Sequence, residues 1–290
     1  MILAIQRFLN NLSKTMGSVI KIIFMSKLIT KIKKSQQKKE CIIMGNGPSF
    51  KESLNNNEEF FKNSDLVSVN FFPISNYFVQ LKPKYLVITA PELWIDNVEQ
   101  RFLDASEKLF TAINNNLNWS ITLFMPAKAR KFLRWKNYLN NENIRIKYYN
   151  VTPIEGFKFF NHYIFKKNLG MPRPHNVLIP SLMLMLNVGY KNIYLVGADH
   201  SWLPEITVDN NNNVLLNNKH FYDEGDTIAK PMNKMGKGKR RLHEVLLKLY
   251  YSFSSYFIIN NYAITLKAKI LNTTPGSFID AFDRTDLENK

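Results

Sequence analysis

Chemistry in this chain can rest on two glycine-bearing polar turns and on five histidines. The first turn is Gly45-Asn46-Gly47-Pro48-Ser49, directly after the apolar run Cys41-Ile42-Ile43-Met44. That order reads as a buried first strand bending sharply into a helix. Glycine has no Cβ, so such a bend lets backbone N–H groups approach a phosphate. Pro48 suits the first helical turn, and Ser49 offers a hydroxyl. The spacing is not the dinucleotide fingerprint, because Phe50 stands where a third glycine belongs, and an ordinary strand-to-helix turn is the competing reading. The second turn is Gly197-Ala198-Asp199-His200-Ser201-Trp202, after the apolar run Ile193-Tyr194-Leu195-Val196. His175 and Asn176 precede an apolar helix over residues 177–188, where helical N–H groups lack partners. His220 follows a predicted β-hairpin. His162 lies among aromatics at helical spacing, which reads as packing.

The elements that must position these residues follow from apolar periodicity. Strands are expected at 41–44, 65–70, 84–89, 120–124, 144–149, 191–196 and within 262–271. Helical patterns fall at 51–62, 98–114, 127–139, 157–167, 177–188 and 243–260, with Gly189 as a C-terminal stop. Strands alternating with helices predict an α/β Rossmann-like fold, a mostly parallel sheet with helices on both faces. Ligands of such sheets bind beyond the carboxyl ends of the strands. The residues to inspect there are Gly45 to Ser49, Asn70, and Ala90 to Glu92. Residues 205–208 and 214–216 flank an Asn-rich turn and predict a hairpin, the core of a small lid over about 203–241. Thr274-Pro275-Gly276-Ser277 is expected to open a final short helix.

Composition narrows the class. The chain has 290 residues, 45% of them hydrophobic, enough for one large globular domain. A single cysteine excludes a disulfide framework and a cysteine metal cluster. The formal net charge of +16 points to an anionic partner. No familiar nucleic-acid motif accompanies it, so a membrane surface or an anionic substrate is expected instead.

Residues 1–40 form a separate segment. Apolar residues from Ile2 to Ile32 recur at three- and four-residue steps, while Arg7 and eight lysines up to Lys39 supply charge, with no acid before Glu40. The run is too charged to span a bilayer and has no signal-peptide core. It reads as a basic amphipathic helix on an anionic membrane surface, or else as a helix packed on the domain. The Rossmann-like domain is then 41–290.

Several of these blocks together resemble the bacterial sialyltransferases of glycosyltransferase family 42. They are the Gly45-Asn46-Gly47-Pro48-Ser49 turn, Asn70 after the second strand, the block from Gly189 to Asp199, and Thr274-Pro275-Gly276-Ser277. The similarity is patchy over 41–282. It implies an inverting transferase that moves an acidic sugar, sialic acid or a related ulosonic acid, from a CMP-sugar to a cell-surface glycan such as lipooligosaccharide. It implies that Gly45, Asn46, Gly47, Pro48, Ser49 and Asn70 hold nucleotide and sugar, that His175 and Asn176 touch the donor, and that Thr274, Pro275, Gly276 and Ser277 hold the cytidine end. Gly197, Asp199 and Ser201 join them, Ser201 standing where the family has a tyrosine. The chain departs from the family at Ala90-Pro91 and His175-Asn176, and lacks the family's Gly-His-Ser.

Such a transfer needs a base for the acceptor hydroxyl, and an imidazole with an unperturbed pKa of ~6.5 suits it. His220 is the expected base, with His200, His175 and His243 as alternatives. No Asp-x-Asp pair stands at a strand end, so no metal and no other cofactor is expected, and Asp199 reads as a capping carboxylate. The basic stretch from Lys234 to Arg241 reads as a phosphate-covering loop or a solvated charge run. The resemblance and the N-terminal helix together imply a peripheral enzyme at the cytoplasmic face of a bacterial inner membrane, with no nucleic-acid partner; a monomer and a homo-oligomer both fit the sequence. Two other classes remain open. One is a pyrophosphokinase-like enzyme using magnesium at Asp199 and Asp65. The other is a non-catalytic nucleotide-sugar binder.

Overall fold

The computed structural model describes residues 2–30, 39–217, 219–223, 228–234 and 238–287. The end of the basic segment (31–38) and parts of the expected lid and basic loop (Asn218, 224–227 and 235–237) lie outside the described residues.

In chain order the elements are α1 (Ile2–Met25), β1 (Glu40–Met44), α2 (Phe50–Asn56), α3 (Glu58–Asn63), β2 (Asp65–Val69), α4 (Tyr77–Leu81), β3 (Tyr85–Val87), α5 (Gln100–Asn116), β4 (Ile121–Pro126), α6 (Arg134–Asn137) and β5 (Ile144–Tyr149). There follow α7 (Lys158–Lys166), α8 (Leu178–Val188), β6 (Asn192–Val196), β7 (Ile206–Val208), β8 (Val214–Leu216), β9 (Lys230–Pro231), α9 (Leu242–Thr265), β10 (Lys269–Asn272) and β11 (Asp283–Arg284). Eight strands form one sheet in the order β11-β10-β6-β1-β2-β3-β4-β5. Every pairing in it is parallel. The expected α/β Rossmann-like architecture is therefore present.

The two glycine turns meet because β1 and β6 are neighbours in register, Met44 opposite Val196. Alternation splits the apolar runs between two faces. Cys41 and Ile43 pack with α8 and α9, whereas Ile42 and Met44 pack with Phe50, Phe72 and α5. Burial on both faces explains why these strands read as unbroken apolar runs. It also raises the Cys41 thiol pKa and leaves that residue a packing group. In α8 every residue except Asn187 is buried, and the helix stops at Gly189 with φ 107°.

Three expectations need correction. No helix follows Thr274; the chain there turns and leads to the short edge strand β11. The helix expected to end at 260 runs to Thr265 and stops where Lys267 takes φ 53°, so only Lys269–Asn272 is strand. The hairpin has a third strand, β9, antiparallel to β8.

Candidate functional site

The carboxyl ends of β1, β2 and β6 surround a cleft whose inner chamber has a volume of about 440 Å³. That size suits a small organic ligand. Gly45, Asn46, Gly47, Pro48, Asn70, His175, Asn176, Gly197, Asp199, Ser201 and His220 all line it, so most of the expected site residues converge. Val245, Lys248, Leu249 and Ser252 of α9 close the far side. An outer chamber continues past Asn70, His175, Asn176 and Lys248 toward Thr89, Trp94, Val151 and Arg240.

Several donors of the glycine turn bond within the protein instead of facing the cleft. Gly45 N–H donates to Val196 O at 2.7 Å and Gly47 N–H to Gly197 O at 2.9 Å. Ser49 donates to the Asp199 carboxylate from both its N–H, at 3.3 Å, and its hydroxyl, at 2.9 Å. These donors are taken up within the protein. The glycines are needed because two turns pack backbone to backbone: a Cβ on Gly45 would stand 2.2 Å from Gly197 O, and one on Gly47 1.8 Å from Asp199 Oδ2. Burial pushes the Asp199 carboxyl pKa up, against the lowering effect of the Ser49 bonds. Asp199 thus braces the two turns, and Ser49 faces Asp199 rather than the cleft.

Thr274 to Ser277 also fall outside the lining. Thr274 Oγ1 accepts from Ala198 N–H at 3.0 Å, and Ser277 Oγ donates to Ala198 O at 2.7 Å. Thr274 and Ser277 are buried and support the β6 turn from behind; Pro275 and Gly276 are exposed.

What the cleft offers a ligand comes from side chains. Asn46 Oδ1, His175 Nε2 and Asn176 Nδ2 are buried and have no hydrogen-bond partner. Buried polar atoms without partners are uncommon and call for an explanation. For Asn176 the orientation is forced. Its Oδ1 accepts from Leu178 N–H at 2.9 Å, Ile179 N–H at 3.3 Å and Tyr256 Oη–H at 3.1 Å, which leaves Nδ2 unpartnered. Tyr256 Oη in turn lies 2.6 Å from His200 Nε2, so that nitrogen is the donor to it. His200 is buried at φ 52° with its ring centroid 4.0 Å from Trp202. Burial drives its pKa to about 3 and holds it neutral. His200 therefore positions Asn176.

His175 stacks on Tyr251 with centroids 5.5 Å apart, and the Arg173 guanidinium covers the same ring at 4.2 Å. Burial, with Lys248 and Arg173 adding to it, lowers the His175 pKa to about 4. Asn70, at φ 42°, accepts from Thr89 N–H at 3.1 Å and borders both chambers.

His220 enters from the lid. Its Nδ1 lies 3.4 Å from Asp223 Oδ2, and its N–H donates to the same oxygen at 2.8 Å. Its ring stacks on Tyr222, centroids 5.0 Å apart. Burial lowers the imidazole pKa and Asp223 acts in the opposite direction, the net shift being downward. An imidazole beside a carboxylate is the arrangement in which a general base is oriented by a neighbouring group. His243 and His162 lie outside the lining of both chambers, whereas His175 and His200 line the inner one.

Four residues carry weight that the sequence reading did not assign. Asp223 stands three residues after His220, a spacing that was there to be read. Lys248 and Tyr256 lie on α9, in step with Val245, Leu249 and Ser252 on one cleft-facing stripe. Burial, and next the Arg240 charge, lower the Lys248 ammonium pKa, with Glu92 opposing. Lys248 thus places positive charge where the chambers join, and Arg240 places it in the outer one. Arg240 belongs to the basic stretch from Lys234 to Arg241, where nothing in the spacing singles it out.

Asp65 sits at the opposite end of the sheet, bonded to Lys84 at 2.6 Å and Tyr190 at 2.5 Å. It cannot share a magnesium with Asp199. Among the described residues no three of His, Cys, Asp and Glu stand together as a metal site.

No protein-family profile matches the sequence, and no curated protein matches it. Among solved structures, the chain is similar to the MAf glycosyltransferase from Magnetospirillum magneticum AMB-1, with 11% identity over 96% of this chain and a TM-score of 0.47. The chain spans about two fifths of that protein's length, 39%.

Proposed function

We propose that this chain is an inverting glycosyltransferase that moves an acidic sugar from a CMP-activated donor to a glycan acceptor. The observation that carries the reading is the convergence, in one cleft, of three unpartnered buried polar atoms (on Asn46, His175 and Asn176) with the His220–Asp223 pair. The motifs shared with family 42 sialyltransferases supply the nature of the donor.

In this reading the nucleotide-sugar occupies the inner chamber. Asn46 Oδ1 accepts from a sugar hydroxyl, and Asn176 Nδ2 donates to an anionic oxygen. The acceptor hydroxyl approaches from the outer chamber. Its oxygen bonds to the anomeric carbon as the bond from that carbon to the CMP phosphate oxygen breaks. The bonding pair leaves with the phosphate, and the hydroxyl proton passes to His220, whose ring Asp223 orients. Charge growing on the departing phosphate is met by Lys248 and Asn176 in a partly desolvated neck, with Arg240 adding positive charge from the outer chamber. No metal or other cofactor enters this scheme.

A thermal-shift comparison of CMP, UDP, GDP and ATP tests the donor, since a ligand that binds only the native state raises its melting temperature. CMP should give the largest shift. A shift with ATP that chelator abolishes would favour the pyrophosphokinase-like alternative, although Asp65 and Asp199 lie at opposite sheet ends. CMP binding without transfer would leave a nucleotide-sugar binder.

A further inference from the structure

An amphipathic helix on a globular domain normally buries its apolar stripe. In α1 most of the apolar stripe faces outward, and apart from Ile22, which packs on the core, the contacts with the domain are largely polar. Ser18 is fully buried, donating from Oγ to Glu155 O at 2.7 Å and accepting from Glu155 N–H at 2.8 Å. Thr15 Oγ1 accepts from Phe157 N–H at 3.0 Å. The helix seats on Gly156, where a Cβ would stand 2.1 Å from Thr15 Oγ1 and where φ is +123°. Beyond the helix, Ser26 Oγ donates to Leu169 O at 2.6 Å, and Lys27 exchanges two hydrogen bonds with Asn150.

The apolar side is left bare. Phe8 is 55% exposed, Ile20 56%, Ile23 69% and Phe24 77%. The patch continues through Phe157, 5.4 Å from Phe8, onto Phe159.

We propose that α1 is a membrane-docking plate, latched to the domain by its polar face so that its apolar face lies on an anionic lipid surface beside the outer chamber. Charge argues for lipid over a second copy of the chain. No acid occurs among residues 1–39 and the chain carries +16, which attracts anionic headgroups and repels a like copy. Shape agrees. A coiled-coil seam runs from Ile2 through Ile5, Leu9, Leu12 and Val19 to Ile23, but Phe8, Ile20 and Phe24 widen the stripe beyond it. The flanking positions hold none of the paired charges that specify helix partners. Among the described residues no helix is long and apolar enough to cross a membrane, so α1 lies on the surface.

The latch also fixes orientation. Asn150 and Thr152, which bond Lys27 and Ser26, flank Val151, a residue of the outer chamber. That chamber then opens next to the lipid and takes an acceptor carried on it, a clause that rests on the glycosyltransferase reading.

The test floats the full chain with vesicles of phosphatidylcholine alone and of phosphatidylcholine with phosphatidylglycerol. Binding should favour the anionic vesicles and weaken with salt. Ile20→Asp combined with Phe24→Asp should lower it ~10-fold or more. Both side chains are exposed, so the melting temperature and the CMP-induced shift should stay as in the wild type. Two results overturn the proposal: the double variant floating like the wild type, or a wild type that ignores vesicles and sediments as an oligomer that the substitutions dissociate. Vesicle binding needs no donor, so a chain that floats but fails to bind CMP sinks the transferase reading alone.

Discussion

The backbone N–H of Phe221 donates to the carbonyl oxygen of Asn46 at 3.0 Å. The Phe221 ring lies 4.7 Å from Phe50 and 5.4 Å from Phe72. This tie joins the lid to the turn after β1. It holds His220, one residue earlier, on the cleft that Asn46 also lines.

His220→Ala should lower transfer ~10²-fold or more while leaving the CMP-induced thermal shift intact. Asp223→Asn should give a smaller loss and move the acidic limb of the kcat/KM profile to lower pH, because Asp223 raises the His220 pKa. Steady-state kinetics across pH check both. Unchanged turnover in His220→Ala would remove the imidazole from the base role.

Tyr256→Phe deletes one of the three donors on Asn176 Oδ1 and leaves His200 Nε2–H without its acceptor. The expected result is a donor KM several-fold higher with kcat nearly kept, and a stability loss of about 1–3 kcal/mol from the orphaned buried group. Kinetics and urea denaturation separate the two effects. An unchanged KM would show that Asn176 needs no support from behind.

Neutral buried histidines make stability depend on pH. His200 has a folded pKa of about 3, below the ~6.5 of an exposed imidazole. Between these values the unfolded chain binds a proton that the folded chain does not, so stability falls as pH drops from about 6.5 toward 3. At ~1.4 kcal/mol per pH unit the largest loss is about 5 kcal/mol. His175, less buried, adds in the same direction down to its own value of about 4. Denaturation midpoints at successive pH values should show this slope, and His200→Gln should flatten it.

Gly47→Ala places a methyl against the Asp199 carboxylate and should destabilise the chain by ~2–4 kcal/mol, as overpacking at a rigid turn does. If Gly47 served only ligand approach, the variant would keep its melting temperature and lose only nucleotide affinity.

Lys248→Ala and Arg240→Ala should each weaken CMP binding several-fold and reduce its salt dependence. Titration calorimetry at two ionic strengths reads both quantities. Equal affinity and equal salt response would move the anionic group of the ligand elsewhere.

The sequence on its own determined the order of the central strands and of the longer helices. Buried parallel strands must be apolar on both faces, so the runs around Ile42, Val67, Leu123 and Leu195 announced themselves, as did the turns that cap them. It also marked most cleft residues, because the carboxyl ends of such strands are where ligands bind. Where no glycine or proline signals a stop the sequence was silent, as at Lys267, whose left-handed backbone ends α9. The two-residue β11 is too short to show a period.

Only the tertiary structure decided what the marked residues do. It paired the turn after β1 with the turn after β6, so that Gly47, Ser49 and Asp199 satisfy one another and the cleft's unmatched polarity passes to Asn46, His175 and Asn176. It also turned α1 polar side inward. A helical period tells which residues share a face, but the partner that a face meets depends on hydrogen bonds to Glu155 and Phe157, more than a hundred residues away in the chain.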